Sequence, residues 1–267
     1  MNGPIAKLRW IYALLLVFVA AVVAQMAAFA YHQIASGEPP YLSAIAVLVD
    51  LVIVYTIVRA AWRCAKQIYW SRVWHKRFRS SMHGRLTKRL NYKYRSWGTE
   101  IIVVRDAAFI ALTIGTLRPR IVVSTALFEM FGDKEIEAIL LHEWHHCRNR
   151  DGLKLLASAV LEDAFGYWPI IKPIVRHYRT WKELFADRFA IRRMGTELYL
   201  GNVLLKLAKL GDIRQREGAV HFADGTMQYR IMQVLEPGRA VKVPLSLLRP
   251  LLVSCSLLLL LMLGGDS

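Results

Sequence analysis

The run DKEIEAILLHEWHHCR, Asp133 to Arg148, decides how the chain is read. Asp133 stands at an N-cap position, and Glu135 and Glu137 follow in the first turn. The spacing predicts a helix from Asp133 to about Arg148. Inside it, His142-Glu143-Trp144-His145-His146 fits the pattern HExxH. Residues four apart lie on one helical face, so His142 and His146 can both point at one ion. Imidazole nitrogen is a preferred zinc ligand. Glu143 falls beside the open coordination position, where it can take a proton from water and pass it to a leaving amine. The pattern predicts one zinc ion, His142 and His146 as metal ligands, and Glu143 as the catalytic acid/base. His145 also pairs with His142 at i, i+3. It lacks a Glu in the right relation and reads as a neighbour or a substrate-side group.

Two histidines need a third ligand, from a following helix. Trp181-Lys182-Glu183-Leu184-Phe185-Ala186-Asp187 offers two acids four apart. Glu183 can complete a His₂Glu site, and Asp187 can accept a ring N–H from a ligand histidine and hold its tautomer. Two acids at this spacing otherwise mark a solvated helix face. Asp151, five residues after His146, can cap the next helix or bond to basic residues near the site; the structural role is favoured. Cys147 reads as core. His75, His83, His177 and His221 have no partner at ligand spacing and read as surface. Arg230 can orient a carboxylate near the site or lie on the surface.

Outward from the motif, the composition sets the frame. Of 267 residues, 55% are hydrophobic, yet the formal charge is +16. That apolar share argues against disorder. The three cysteines, Cys64, Cys147 and Cys255, form no CxxC pair, which excludes a disulfide framework. The apolar content and the charge become compatible if they occupy different segments. Trp10 to Tyr31 is uncharged and can span a bilayer core of about 30 Å. It exceeds the usual apolar core of a signal peptide. A short loop, His32 to Pro40, leads to a second apolar run, Tyr41 to Val58, and the pair reads as a transmembrane hairpin. Asp50, inside the second run, is expected to face protein or water or to be protonated, through a functional role or a packing contact with Gln25 or another span.

Arg59 to Arg95 carries twelve basic residues and no acid, interleaved with Trp62, Tyr69, Trp70, Trp74, Phe78, Tyr92 and Tyr94. Nucleic acid is one reading of such a stretch. A juxtamembrane segment against anionic lipid is the favoured one, given its place after a span. By the positive-inside rule the N-terminus and everything after Val58 are cytoplasmic.

Ile101 to Val104 and Ile121 to Val123 read as strands of a small sheet. Further helices are expected at about Gly152 to Phe165, His177 to Met194 and Glu197 to Leu210, with Trp168-Pro169 and Lys172-Pro173 breaking the chain. Pro244 to Leu263 reads as a third span, or as an anchor that only dips into the bilayer; Arg249 can snorkel to the interface. The expected fold class is a membrane protein, mainly α with a small β-sheet. Its parts are a transmembrane hairpin (1–62), a basic aromatic juxtamembrane segment (63–98), a zinc metallopeptidase domain (99–240) and a C-terminal transmembrane helix (243–264).

With HExxH, Glu183 and the hairpin in view, the chain resembles the membrane metallopeptidases of the BlaR/MecR antirepressor type, the transducers of β-lactam sensing. The resemblance covers roughly Gly115 to Arg193. Gly115-Thr116-Leu117-Arg118-Pro119-Arg120-Ile121 is similar to that family's G-L-x-x-P-x-I. The likeness continues through Glu137 to Glu143, Arg148-Asn149-Arg150-Asp151, Glu183 and Asp187. It implies a gluzincin-like zinc domain facing the cytoplasm of a bacterial cell, between membrane segments. His142, His146 and Glu183 would be its ligands and Glu143 its acid/base. It further implies a cytoplasmic protein substrate such as a winged-helix repressor. Ser124 stands where the family usually has Pro, and there is room for three spans rather than four. Only Gly264 to Ser267 follow the last apolar run, so no penicillin-binding sensor is expected and β-lactam recognition is not implied. Lys182 to Asp187 is about equally similar to the HtpX-type quality-control proteases, which share HExxH and a later ExxxD. A non-enzymatic reading, a lipid- or nucleic-acid-binding protein with structural histidines, is the contrast; direct nucleic-acid binding is not expected.

Overall fold

The computed structural model describes residues 2–36, 44–216, 226–236 and 241–263. His221, the end of the predicted loop at 37–40 and the first residues of the second apolar run (41–43) lie outside them. So do residues 264–267. The chain is mainly helical with one small sheet, and it divides into two compact units.

One unit comprises residues 1–67, 157–178 and 244–267. Helix α1 spans Asn2–Ser36, longer than the predicted run. Among the described residues, only its segment 6–35 is long and apolar enough to cross a membrane. Its inner face is narrow. Leu15, Val19 and Val22 pack on Leu161, Phe165, Trp168 and Ile174, while Trp10, Leu14 and Val17 stay exposed. Large exposed apolar surface of this kind marks contact with lipid or a partner. Tyr12 stacks on Tyr178 at 4.4 Å and hydrogen-bonds Ser158 at 3.0 Å. Helix α2 spans Ala44–Ser80 and runs without a break through residue 62 into the basic stretch. Asp50 accepts from Gln33 of α1 at 3.4 Å, a contact with the other apolar helix through a residue other than Gln25. Asp163 receives Arg63 at 3.5 Å and Arg59 at 3.9 Å. The C-terminal helix, Leu248–Leu263, has 16 residues, about 24 Å at 1.5 Å each.

The other unit, residues 68–156 and 179–243, is built on a three-stranded sheet. β1 (Ile101–Val104) and β3 (Arg120–Ser124) follow the predicted strands. A further strand, β2 (Ala111–Ile114), joins them. The order is β1-β3-β2, with β1 parallel and β2 antiparallel to β3, so β2 is an edge. Strand alternation sends side chains to both faces. Ile101, Val103, Ile121 and Val123 join Leu127, Ile136, Ile139 and Leu140 in the main core. Ile102, Val104 and Val122 meet Phe78 on the opposite face.

Helix α3 (Gly84–Lys93) packs on β1, and its cation-rich face stays exposed. His83 caps it, Nδ1 accepting from Leu86 N–H at 3.3 Å. A short α4 (Ala126–Met130) leads into α5 (Asp133–Arg148), the predicted motif helix. Its N-cap is Gly132, not Asp133: Gly132 N–H donates to Glu135 at 3.1 Å, and Asp133 is the first helical residue. α6 spans Asp151–Ala164, α7 Ile171–Met194, α8 Leu198–Arg216 and α9 Thr226–Leu235. Lys172-Pro173 does not break the chain. Pro173 sits in the first turn of α7, where no N–H is needed. Counting the C-terminal helix as α10, the described residues form ten α-helices.

Candidate metal centre

α5 carries the motif across the buried face of the second unit, packed on β2, β3 and α8. His142, Glu143 and His146 are all buried. The histidine Nε2 atoms face each other at 3.1 Å. Glu183 of α7 faces the pair with both oxygens: Oε2 lies 3.3 Å from His142 Nε2, and Oε1 lies 3.5 Å from His146 Nε2. One donor atom from each residue falls within 4.8 Å of the others. Two imidazoles and a carboxylate are donor types that suit a divalent ion such as zinc.

The remaining ring nitrogens are also committed. His142 Nδ1 meets Asp187 Oδ1 at 2.8 Å, and His146 Nδ1 meets Asp151 Oδ2 at 2.9 Å. A carboxylate at Nδ1 holds a proton there and aims the Nε2 lone pair at the common point. The sequence pairs Asp187 with a ligand histidine, and the structure places it beside His142. The sequence favoured a cap role for Asp151, which does open α6 but is buried against His146 and Lys182.

The α5–α6 connection explains this placement. Arg150 adopts a left-handed φ of 51°, and its N–H donates to Cys147 O at 3.1 Å. That tight turn folds Asp151 back beneath His146. Gly152 then passes so close to the β2–β3 turn that an added Cβ would lie 2.8 Å from Gly115 O. Gly115 itself has φ +89°. Gly152→Ala is therefore expected to lower stability by about 1–3 kcal/mol, read as a drop in thermal midpoint. An unchanged midpoint would refute this close-approach argument.

Two cations complete the site. Arg230 of α9 grips Asp187 with two bonds, 2.7 and 2.8 Å, and lies 3.3 Å from Glu183 Oε2. Lys182 donates to Asp151. The sequence left Arg230 undecided between the site and the surface, and gave no role to Lys182. A lone Arg or Lys carries no spacing signal, so neither could be assigned without the fold. Thr113 of β2 was also missed. Its Oγ1 lies 2.9 Å from Glu143 Oε2 and 3.0 Å from the Glu143 carbonyl, which fixes the Glu143 side chain.

Charge is distributed unevenly. Burial and the Arg230 cation press the His142 imidazole down, but its bonds to Asp187 and Glu183 prevail and raise it to about 10. Burial and the neighbouring His142 charge push His146 down. Burial would raise Glu183, but its His142 bond and the His142, Arg230 and His146 charges hold it well below the usual carboxylate range. Asp187 is likewise lowered, burial being outweighed by Arg230 and His142. Burial lowers Lys182 to about 8, against the pull of Glu183. The site is thus rich in ionised carboxylate.

The other candidates fall elsewhere. His145 contacts Asn149 at 3.0 Å and packs on Phe189. Burial and the two neighbouring histidines drive it down to about 3, so it is neutral. Cys147 is core, as expected, raised to about 11 by burial despite its Thr113 contact. His75, His83 and His177 are half-buried rather than exposed, and His75 sits 3.4 Å from Arg120. Trp144 stacks on Trp97 at 4.7 Å, bracing the outer side of α5.

A family model described as BlaR1 peptidase M56 matches residues 14–234. The chain is also similar to two curated proteins called Regulatory protein BlaR1. For that of Bacillus licheniformis the identity is 27% over 111 residues, 41% of this chain and 18% of the relative. For that of Staphylococcus aureus it is 28% over 106 residues, 39% of this chain and 17% of the relative. The similar stretch thus covers less than a fifth of either relative's length.

Proposed function

The chain belongs to the BlaR1 peptidase M56 family, and from that premise we propose that it is a membrane-embedded zinc endopeptidase with a regulatory role. The observation that carries the proposal is the convergence of His142, His146 and Glu183. These three residues would hold the ion. When bound, zinc acts as a Lewis acid that polarises the scissile carbonyl and brings the pKa of water toward about 7.

The protein's own residues do the rest. Glu143 takes the proton of the attacking water and delivers it to the departing amine nitrogen. Thr113 keeps its carboxylate in place for both transfers. Asp151 and Asp187 fix the tautomers of the two histidines. Burial of the site strengthens each of these interactions.

The substrate we propose is a cytoplasmic regulatory protein, such as a winged-helix repressor. The similarity to two proteins called regulatory supports this class. Residues 1–62 form a transmembrane hairpin, 63–98 a basic aromatic segment on the anionic leaflet, 99–240 a gluzincin-like peptidase domain, and 243–264 a C-terminal span. The N-terminus and the catalytic domain face the cytoplasm of a bacterial cell. The exposed apolar flank of α1 and the exposed Trp62, Tyr69 and Trp70 beside the cations support the membrane assignment.

The test is co-expression with candidate repressors, alongside Glu143→Ala. Cleavage by the wild type alone supports the proposal. Equal cleavage by both proteins refutes the role of Glu143. Lys182 to Asp187 also resembles the HtpX-type quality-control proteases. Proteins trapped by Glu143→Ala separate the readings: misfolded membrane proteins rather than one regulator would favour quality control.

A further inference from the structure

The site is built as two matching chains of contacts. His142 donates to Asp187, and Asp187 is gripped by Arg230. His146 donates to Asp151, and Asp151 is held by Lys182. The four outer groups come from different parts of the sequence: the start of α6, two positions on α7, and α9. Asp187 is 0% and Asp151 1% exposed, so neither can exchange its partner for bulk water.

Each of these two buried carboxylates is held by a cation. Arg230 grips Asp187, and Lys182 grips Asp151, with the more exposed Lys154 3.8 Å from the same Asp151 oxygen. Without Arg230 or Lys182 a buried carboxylate loses its close partner. An unpaired buried charge is costly, so the carboxylate would turn, take up a proton or draw in water. Each response loosens the histidine it orients.

We infer that Arg230 and Lys182 are positioning residues that set the site's affinity for a divalent cation, acting through Asp187 and Asp151 without touching the ion. This inference rests on the metal-site reading proposed above. The two arms differ in kind. Arg230 is a planar fork on both oxygens of Asp187, and its third nitrogen lies 3.3 Å from Glu183, a proposed ligand. It ties a ligand and a ligand's orienter together, which lysine's single point charge cannot do. Lys182 precedes Glu183 on α7, so its grip on Asp151 also fixes that turn of the helix.

The test uses the full-length protein in nanodiscs. Zinc affinity is measured by competition with a chromophoric chelator, and ligand geometry by the visible spectrum of the cobalt-substituted protein. Arg230→Met and Lys182→Met are expected to weaken zinc binding about 10–100-fold and to shift the cobalt bands. Arg230→Lys, keeping the charge but not the fork, is expected to fall between them and the wild type. Lys206→Met breaks an exposed ion pair with Glu135 and is expected to bind zinc as the wild type does. Melting curves in chelator identify the folded variants; if a Met variant does not fold, Arg230→Lys and Lys182→Arg decide. Folded variants whose zinc affinity stays within about twofold of wild type, with an unchanged cobalt spectrum, overturn the inference. A wild-type protein that binds no zinc overturns the metal-site reading itself, which is a different result.

Discussion

Glu143→Gln is expected to remove peptide hydrolysis while leaving the zinc content of the protein unchanged. The substitution is nearly isosteric. The Gln carbonyl can still accept from Thr113, which now lies 2.9 Å from Glu143 Oε2. His142, His146 and Glu183 are untouched, so the ion's donors remain. What is lost is the group that accepts and returns a proton, because an amide cannot take one at neutral pH. General acid–base groups contribute about 10²–10⁴ in rate. Turnover of a cleaved substrate should fall by that factor, with metal stoichiometry near that of the wild type. Cleavage within a few-fold of wild type would remove Glu143 from the mechanism. Loss of zinc together with activity would make it a structural residue instead.

His146→Ala is expected to have the larger structural effect. It deletes one donor of the proposed three and strands Asp151, which is buried between His146 and Lys182. Zinc content should drop to about zero and hydrolysis should vanish with it. The two losses have a stability counterpart. A ligand that binds only the folded state stabilises it by about 2.7 kcal/mol at a hundredfold excess over its dissociation constant. Adding zinc should therefore raise the melting temperature of wild type and of Glu143→Gln, but not of His146→Ala. An equal zinc-dependent rise in all three would show that the ion binds elsewhere.

The motif helix was legible because its information is local. Periodicity, acids in the first turn and the i, i+4 histidines all lie within α5, and the predicted ends match Asp133–Arg148. β1 and β3 were legible for the same reason, as runs of β-branched residues bounded by turns. β2 was not. Ala111-Leu112-Thr113-Ile114 has no strong strand pattern, and its pairing with β3 makes it a strand. α9 was missed too. It packs on α8, and that contact rather than a local signal holds it.

What the sequence by itself determined is the motif helix, the long apolar helix before it, and the candidates His142, His146 and Glu183 as ligands with Asp187 behind a ligand histidine. Each follows from residue type and spacing within one element. The tertiary structure alone decided which charged groups stand behind them. Asp151 and Lys182 are 31 residues apart, and Asp187 and Arg230 are 43 apart. A lone Lys or Arg in a sequence reads as surface, because water is its cheapest partner. It moves inside only where the rotation and packing of several helices supply a carboxylate. That depends on side chains meeting across elements, which no pattern along one element encodes.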